Sequence, residues 1–278
     1  MKKLSFWIFL GYLIYFLLSG EEEVDETVVR PPIPEDIPYN EATGCKSLDK
    51  KWAWNSLDGN NYEMSFPVCQ ELYDESVSTR ENIGYPEYEL SDIEYCKFIY
   101  EKLLSDVEFP TNELASGYKN IIDEANLDYM GALNLIISSI QAIPYTLIIN
   151  ENCPYVLNGV KYINNCAPLE SGQGCCGNIQ PFGVYSPMEF LYHEAGDCDT
   201  RTVFAYAVLK NLGFDAVVIN GEEHSMLAVH LPKSPEAGSA HIKDQRGKKY
   251  YVWELTGKDW GLGVNPDVNL NKWDIVLP

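Results

Sequence analysis

Apolar residues recur at helical spacing in three stretches of the chain and run at strand spacing in three more. Between Ser91 and Leu104, Ile93, Tyr95, Cys96, Ile99, Tyr100, Leu103 and Leu104 fall on one helical period, and Ser91 with Glu94 forms the capping pair that opens a helix. Tyr129 to Ala142 (YMGALNLIISSIQA) keeps that period and stops before Pro144, which disfavours helical geometry at Ile143. A third helix opens at Asp197 and Cys198, carries Val203, Phe204, Ala207, Val208 and Leu212 along one side, and closes at Gly213. Behind it Phe214 to Ile219 reads as a strand and Asn220-Gly221 as a turn. Met226 to Leu231 and Lys249 to Leu255 read as two further strands across a polar loop at 232–248. From Tyr39 to Tyr88 aromatics, Asn and Gly follow no sustained period, which predicts irregular or short-stranded structure. The predicted class is α+β: a helix packed on a mainly antiparallel sheet in residues 127–278, with a helical and irregular N-terminal extension at 39–126. Residues 150–185 hold Cys153, Cys166, Cys175 and Cys176 among Gly, Asn and Pro, too long for a plain connection and therefore read as a stapled insertion.

The N-terminus sets the compartment. Lys2 and Lys3 precede an apolar run from Leu4 to Leu18, the pattern of an export signal in residues 1–20. Ser19-Gly20 is a poor cleavage site, so a cleaved signal and a retained anchor both fit. Residues 21–38 form an acidic, proline-rich tether. Export to a periplasm, cell envelope or extracellular space makes disulfides legitimate. With 41 Asp+Glu against 20 Lys+Arg, a charge of −21 excludes a general nucleic-acid binder. It leaves membrane contact to the N-terminal segment alone. The clustered cysteines match no paired Cys-x-x-Cys site, so neither a metal nor a cofactor is expected.

Cys198 stands at a helix start, where unsatisfied N–H groups favour a thiolate, and Asp197 is placed to cap the same helix. A helix of about fifteen residues is about 22 Å long, and a six-residue strand returning from it covers about 20 Å. The strand therefore comes back to the level of Cys198. His224 opens the next antiparallel strand at that end, and a hairpin around 232–248 sets it opposite the region of Glu254 and Leu255. A thiol, an imidazole to take its proton and a carboxylate to orient the imidazole thus converge at one edge of the sheet. His230 falls at the far end of the hairpin, and His193 and His241 read as surface residues. Setting Cys198 aside leaves seven cysteines, enough for three bridges and one further thiol.

GDCDTRTVFAYAVLKNLGFDAVVI, then EHSMLAV, then YYVWELTG resembles the transglutaminase-like superfamily over roughly residues 127–260. Gln141-Ala-Ile-Pro-Tyr145 is similar to the segment that precedes the nucleophile in bacterial, exported members. The resemblance implies a papain-like fold, with Cys198 as nucleophile, His224 as general base and then acid, and Glu254 as orienting carboxylate. Glu254 departs from the Asp usual at that place. It further implies an oxyanion site made by the Cys198 backbone N–H and a side-chain donor from Gln141 or Tyr145, with Asp197 in support. The expected function is attack on amide bonds of a peptide or protein, such as cell-wall peptide or glycoprotein, ending in hydrolysis rather than amine transfer. A non-catalytic envelope scaffold that keeps the same core is the alternative.

Overall fold

The computed structural model describes residues 29–34, 45–105, 108–157, 159–164, 173–221, 224–235 and 237–278. The signal segment, most of the tether and Cys166 lie outside the described residues. The stretch expected to be irregular or short-stranded opens with a regular hairpin, β1 (Ser47–Asn55) and β2 (Asn61–Cys69), whose alternation turns Trp52, Trp54, Met64, Phe66 and Val68 inward. Helix α1 (Gln70–Glu81) follows directly. Its polar sequence shows no clear stripe, and its anchor is electrostatic: Arg80 pairs at 2.9 Å with Glu189, both buried.

Helix α2 (Asp92–Leu104) begins with the expected reciprocal cap, in which Ser91 Oγ accepts from the Glu94 N–H and the Glu94 carboxylate accepts from the Ser91 N–H. Helix α3 (Glu108–Glu124), absent from the sequence reading, buries Leu114, Ala115, Tyr118 and Ile122 at helical spacing. Helix α4 (Tyr129–Ala142) ends as Pro144 requires, with Ile143 extended at φ −66, ψ 136.

The expected insertion is more regular than a loop. Strands β3 (Thr146–Ile149), β4 (Val156–Leu157), β5 (Val160–Asn164) and β6 (Gln173–Asn178) form a sheet ordered β3-β6-β5-β4, with β6 parallel to both neighbours. Cys153 and Cys176 staple it, and Cys45–Cys69 closes the open end of the first hairpin. Cys175 is also disulfide-bonded, which leaves Cys96 and Cys198 as the free thiols among the described residues. Such bonds form and persist mainly in oxidising surroundings, which agrees with the compartment read from the N-terminus. No helix among the described residues is long and apolar enough to cross a membrane.

After the short helix α5 (Pro187–His193), the helix α6 (Cys198–Asn211) lies on a five-stranded sheet ordered β11-β7-β8-β10-β9. Its strands are β7 (Ala216–Gly221), β8 (His224–Val229), β9 (His241–Lys243), β10 (Lys249–Trp253) and β11 (Asp274–Leu277), antiparallel throughout. Phe204, Ala205, Val208 and Leu209 of α6, with Leu212 at its C-terminal cap, share one core with Leu227, Val229, Tyr251 and Trp253 of the sheet. The same core takes in Trp52, Trp54, Met64, Phe66, Leu114 and Tyr118, so the N-terminal extension packs as part of this body. Trp273 covers the other face with Val217, Ile219, Met226 and Val252.

Asn220-Gly221 is not the turn. Both residues continue β7, because Asn220 is buried and hydrogen-bonded to Tyr100. Gly221 is required by close approach: a Cβ there would sit 2.7 Å from the Trp273 ring and 2.8 Å from the Lys272 carbonyl oxygen. Gly221→Ala is therefore expected to lower stability by about 1–3 kcal/mol in a urea unfolding series. An unchanged midpoint would show that the Trp273 segment can move aside freely.

Candidate active site

The loop that presents Cys198 is held from below by Arg201. This guanidinium is fully buried and donates to four backbone carbonyls: Gly196 (2.9 Å), Ile140 (3.1 Å), Leu255 (3.1 Å) and Ile143 (2.6 Å). It joins the end of α4, the approach to α6 and the chain just after β10. Burial lowers it to about 10, so it remains a cation at neutral pH. Sequence reasoning missed it. The available signal was an arginine one turn after Cys198, directly before the apolar run Val203–Leu209.

Gly196 lies against Phe190 and Thr200, where a Cβ would come within 2.8 Å of Thr200 Cγ2. That contact brings the loop close to α5. Asp197 is the N-cap of α6, as expected; its carboxylate accepts from the Thr200 N–H (3.3 Å) and from the Ile148 N–H (3.1 Å), which ties the helix to β3. Burial and the neighbouring Asp199 charge push Asp197 above the usual carboxylate range.

His224 opens β8 and remains partly exposed. Glu254 leaves the end of β10, 4% exposed, and the two meet at 2.7 Å between His224 Nε2 and Glu254 Oε2. The ladder explains the meeting: Trp253 pairs with Leu227, so the chain just beyond β10 runs alongside the start of β8. The longer glutamate reaches the ring. Glu254 Oε1 accepts from the Thr256 N–H (2.7 Å) and the Thr256 hydroxyl (2.6 Å), a partner the sequence reading overlooked. Burial opposes charge on Glu254, yet the bonds from His224 and Thr256 outweigh it and hold the carboxyl below its ordinary value. With Nε2 turned to Glu254, Nδ1 is the nitrogen left to serve a nucleophile. Trp273 stands edge-on to the imidazole, with ring centroids 6.0 Å apart.

Cys198 heads α6, with its sulfur in electrostatic reach of the backbone of Ser225, the residue after His224. Cys198 and His224 thus lie at the same strand end, but no hydrogen bond joins them among the described residues. The thiol faces Asp199 instead, with Sγ 3.5 Å from Asp199 Oδ1. Burial, then the charges of Asp199 and Asp197, raise the thiol well above its ordinary value. This reverses the expectation drawn from the helix start. The partial charge of a helix end is outweighed by two carboxylates in the same turn and by desolvation.

The Gln141 amide hydrogens are engaged away from Cys198. They go to the carbonyls of Glu254 (2.8 Å) and Trp260 (3.0 Å), so Gln141 supports the carboxylate's backbone. Tyr145 is different: it is 38% exposed, bridges Gly196 and lies 5.8 Å from the Arg201 guanidinium. Burial, with Cys198 and Asp197 in electrostatic reach, pushes its phenol far up, so the hydroxyl stays a donor. The remaining histidines are placed elsewhere. His230 bonds to the Lys249 carbonyl at the far end of β10, His193 is exposed, and His241 lies in the edge strand β9 rather than in a loop.

Cys198 and His224 stay partly exposed, so the described part of the insertion does not seal the site. The chain matches no protein-family model and no curated protein.

Proposed function

We propose that the chain is an exported, transglutaminase-like cysteine hydrolase with a papain-like core, acting on amide bonds of peptides or proteins. The observation that carries the reading is the 2.7 Å contact of His224 with a buried, doubly anchored Glu254 at the strand end where Cys198 heads its helix. Sγ attacks the amide carbonyl carbon while its proton passes to His224 Nδ1. The C–N bond breaks, the same proton leaves with the amine, and a thioester remains on Cys198. Water, deprotonated by His224, then releases the acid and restores the thiol. Glu254 keeps the imidazole oriented and stabilises its protonated form. The Cys198 N–H, which has no intrahelical acceptor, and the Tyr145 hydroxyl supply donors for the oxyanion. Peptide, cell-wall peptide and glycoprotein amides are the substrate classes that fit an exported location.

A second reading, a non-catalytic envelope scaffold, is favoured by one observation: the thiol faces Asp199 rather than His224. Fluorogenic peptide amides and a peptide chloromethyl ketone separate the two. Amine release and a covalent adduct on Cys198, both absent in Cys198→Ala, are expected for the hydrolase. Neither release nor adduct in the parent protein would leave the scaffold.

A further inference from the structure

A buried polar chain drawn from β7, α2 and β8 reaches Asp199. Asn220 Nδ2 donates to the Tyr100 hydroxyl (3.1 Å), and the Tyr100 and Ser225 hydroxyls are 2.9 Å apart. The Ser225 hydroxyl in turn has two acceptors in reach, Asp199 Oδ1 and, at 2.9 Å, Asn220 Oδ1. The directions close toward the carboxylate if Tyr100 donates to Ser225 and Ser225 gives its single proton to Asp199, the charged acceptor of the two: each hydroxyl then receives one proton from behind, an arrangement in which successive bonds strengthen one another. Asn220, Tyr100 and Ser225 are all buried, and they come from three elements, β7, α2 and β8. The oxygen at the end of this chain is the one that faces the Cys198 sulfur at 3.5 Å.

We propose that Asp199 is a positioning residue that keeps Cys198 as a resting, neutral thiol, and that the Asn220–Tyr100–Ser225 chain fixes the carboxylate in that role. A negative charge beside sulfur disfavours a second one, and the same oxygen offers the S–H an acceptor. Other titratable or charged groups surround the pair: Asp197 and Arg201 on α6, Tyr145 before β3, Cys96 and Tyr100 on α2, and His224 and Glu254 on the sheet. Among the described residues, only Asp199 makes a side-chain hydrogen bond to the sulfur. Attack on substrate then begins when the Cys198 S–H turns from Asp199 Oδ1 to His224 Nδ1 and gives its proton to that nitrogen as sulfur bonds to the carbonyl carbon, so the thiol stays protonated until a carbonyl is in place. The catalytic meaning rests on the reading of Cys198 as nucleophile; its protonation is measurable without any substrate.

The test is the pH profile of iodoacetamide alkylation of Cys198 in the full, disulfide-intact protein, with Cys198→Ser as the blank that removes labelling of Cys96. The parent protein should alkylate slowly at neutral pH. Asp199→Asn should alkylate about tenfold faster there, with its midpoint about one pH unit lower, while Asp199→Glu keeps the slow rate. If Asp199→Asn does not fold, Ser225→Ala and Tyr100→Phe carry the test through smaller shifts in the same direction. Superimposable profiles for the parent and Asp199→Asn, or for the parent and both relay variants, would overturn the proposal. A shifted profile in a protein without amidase activity would sink only the hydrolase reading; an active hydrolase with an unmoved profile would sink only this one.

Discussion

Replacing Arg201 with methionine is expected to lower the folding free energy by about 3–5 kcal/mol, the largest loss from any single side chain near the site. Methionine fills much of the same volume, so the loss is polar rather than a cavity effect. Four carbonyls, of Gly196, Ile140, Ile143 and Leu255, would lose a charged donor in a place water reaches poorly. Arg201→Lys should recover only part of the loss, because one ammonium cannot span four acceptors laid out for a planar fork. Urea unfolding at neutral pH reads both variants. A loss below about 1 kcal/mol for Arg201→Met would mean that the carbonyls find other donors and that the guanidinium is not the keystone of the loop.

Glu254→Gln is the corresponding test of chemistry. Turnover of a peptide amide should fall about 10²–10⁴-fold with the fold intact, because an amide neither selects the imidazole tautomer with a proton on Nε2 nor stabilises imidazolium. The Michaelis constant should change little, since Glu254 is buried behind His224. A companion effect appears in stability against pH. Glu254 in the folded chain lies below its unfolded value, so its contribution is full above the unfolded value and is lost as pH falls through the folded one. Acid unfolding of Glu254→Gln should lack that part of the transition. Unimpaired turnover in Glu254→Gln would remove the carboxylate from the mechanism.

Where apolar period and end signals agree, the sequence is informative. The Ser91/Glu94 cap, the stop at Ile143-Pro144 and the helix opened by Asp197 lie where the residues place them. So does the His224–Glu254 meeting, since strand length and antiparallel return determine which ends face each other. Helix α1 was illegible because its anchor is a buried ion pair with a residue more than a hundred positions away, a contact no local pattern carries. The hairpin β1–β2 was legible in principle, through the alternation of Trp52, Trp54, Met64, Phe66 and Val68, but the polar residues between them hide it from a helix-scaled window. Side-chain roles proved harder than side-chain places. Gln141 and Asp199 both lie beside the site, yet one serves backbone carbonyls and the other faces the sulfur; such roles depend on rotamers and neighbours that sequence order does not encode.

Strand β11 pairs with β7 at the edge of the sheet, and Trp273 immediately before it packs against Gly221 and stands edge-on to His224. One short segment therefore supplies both the outer partner of β7 and the aromatic wall of the imidazole. A change that loosens β11 from the sheet edge reaches the His224 ring through Trp273, so the stability of that edge and the setting of the imidazole are one property rather than two.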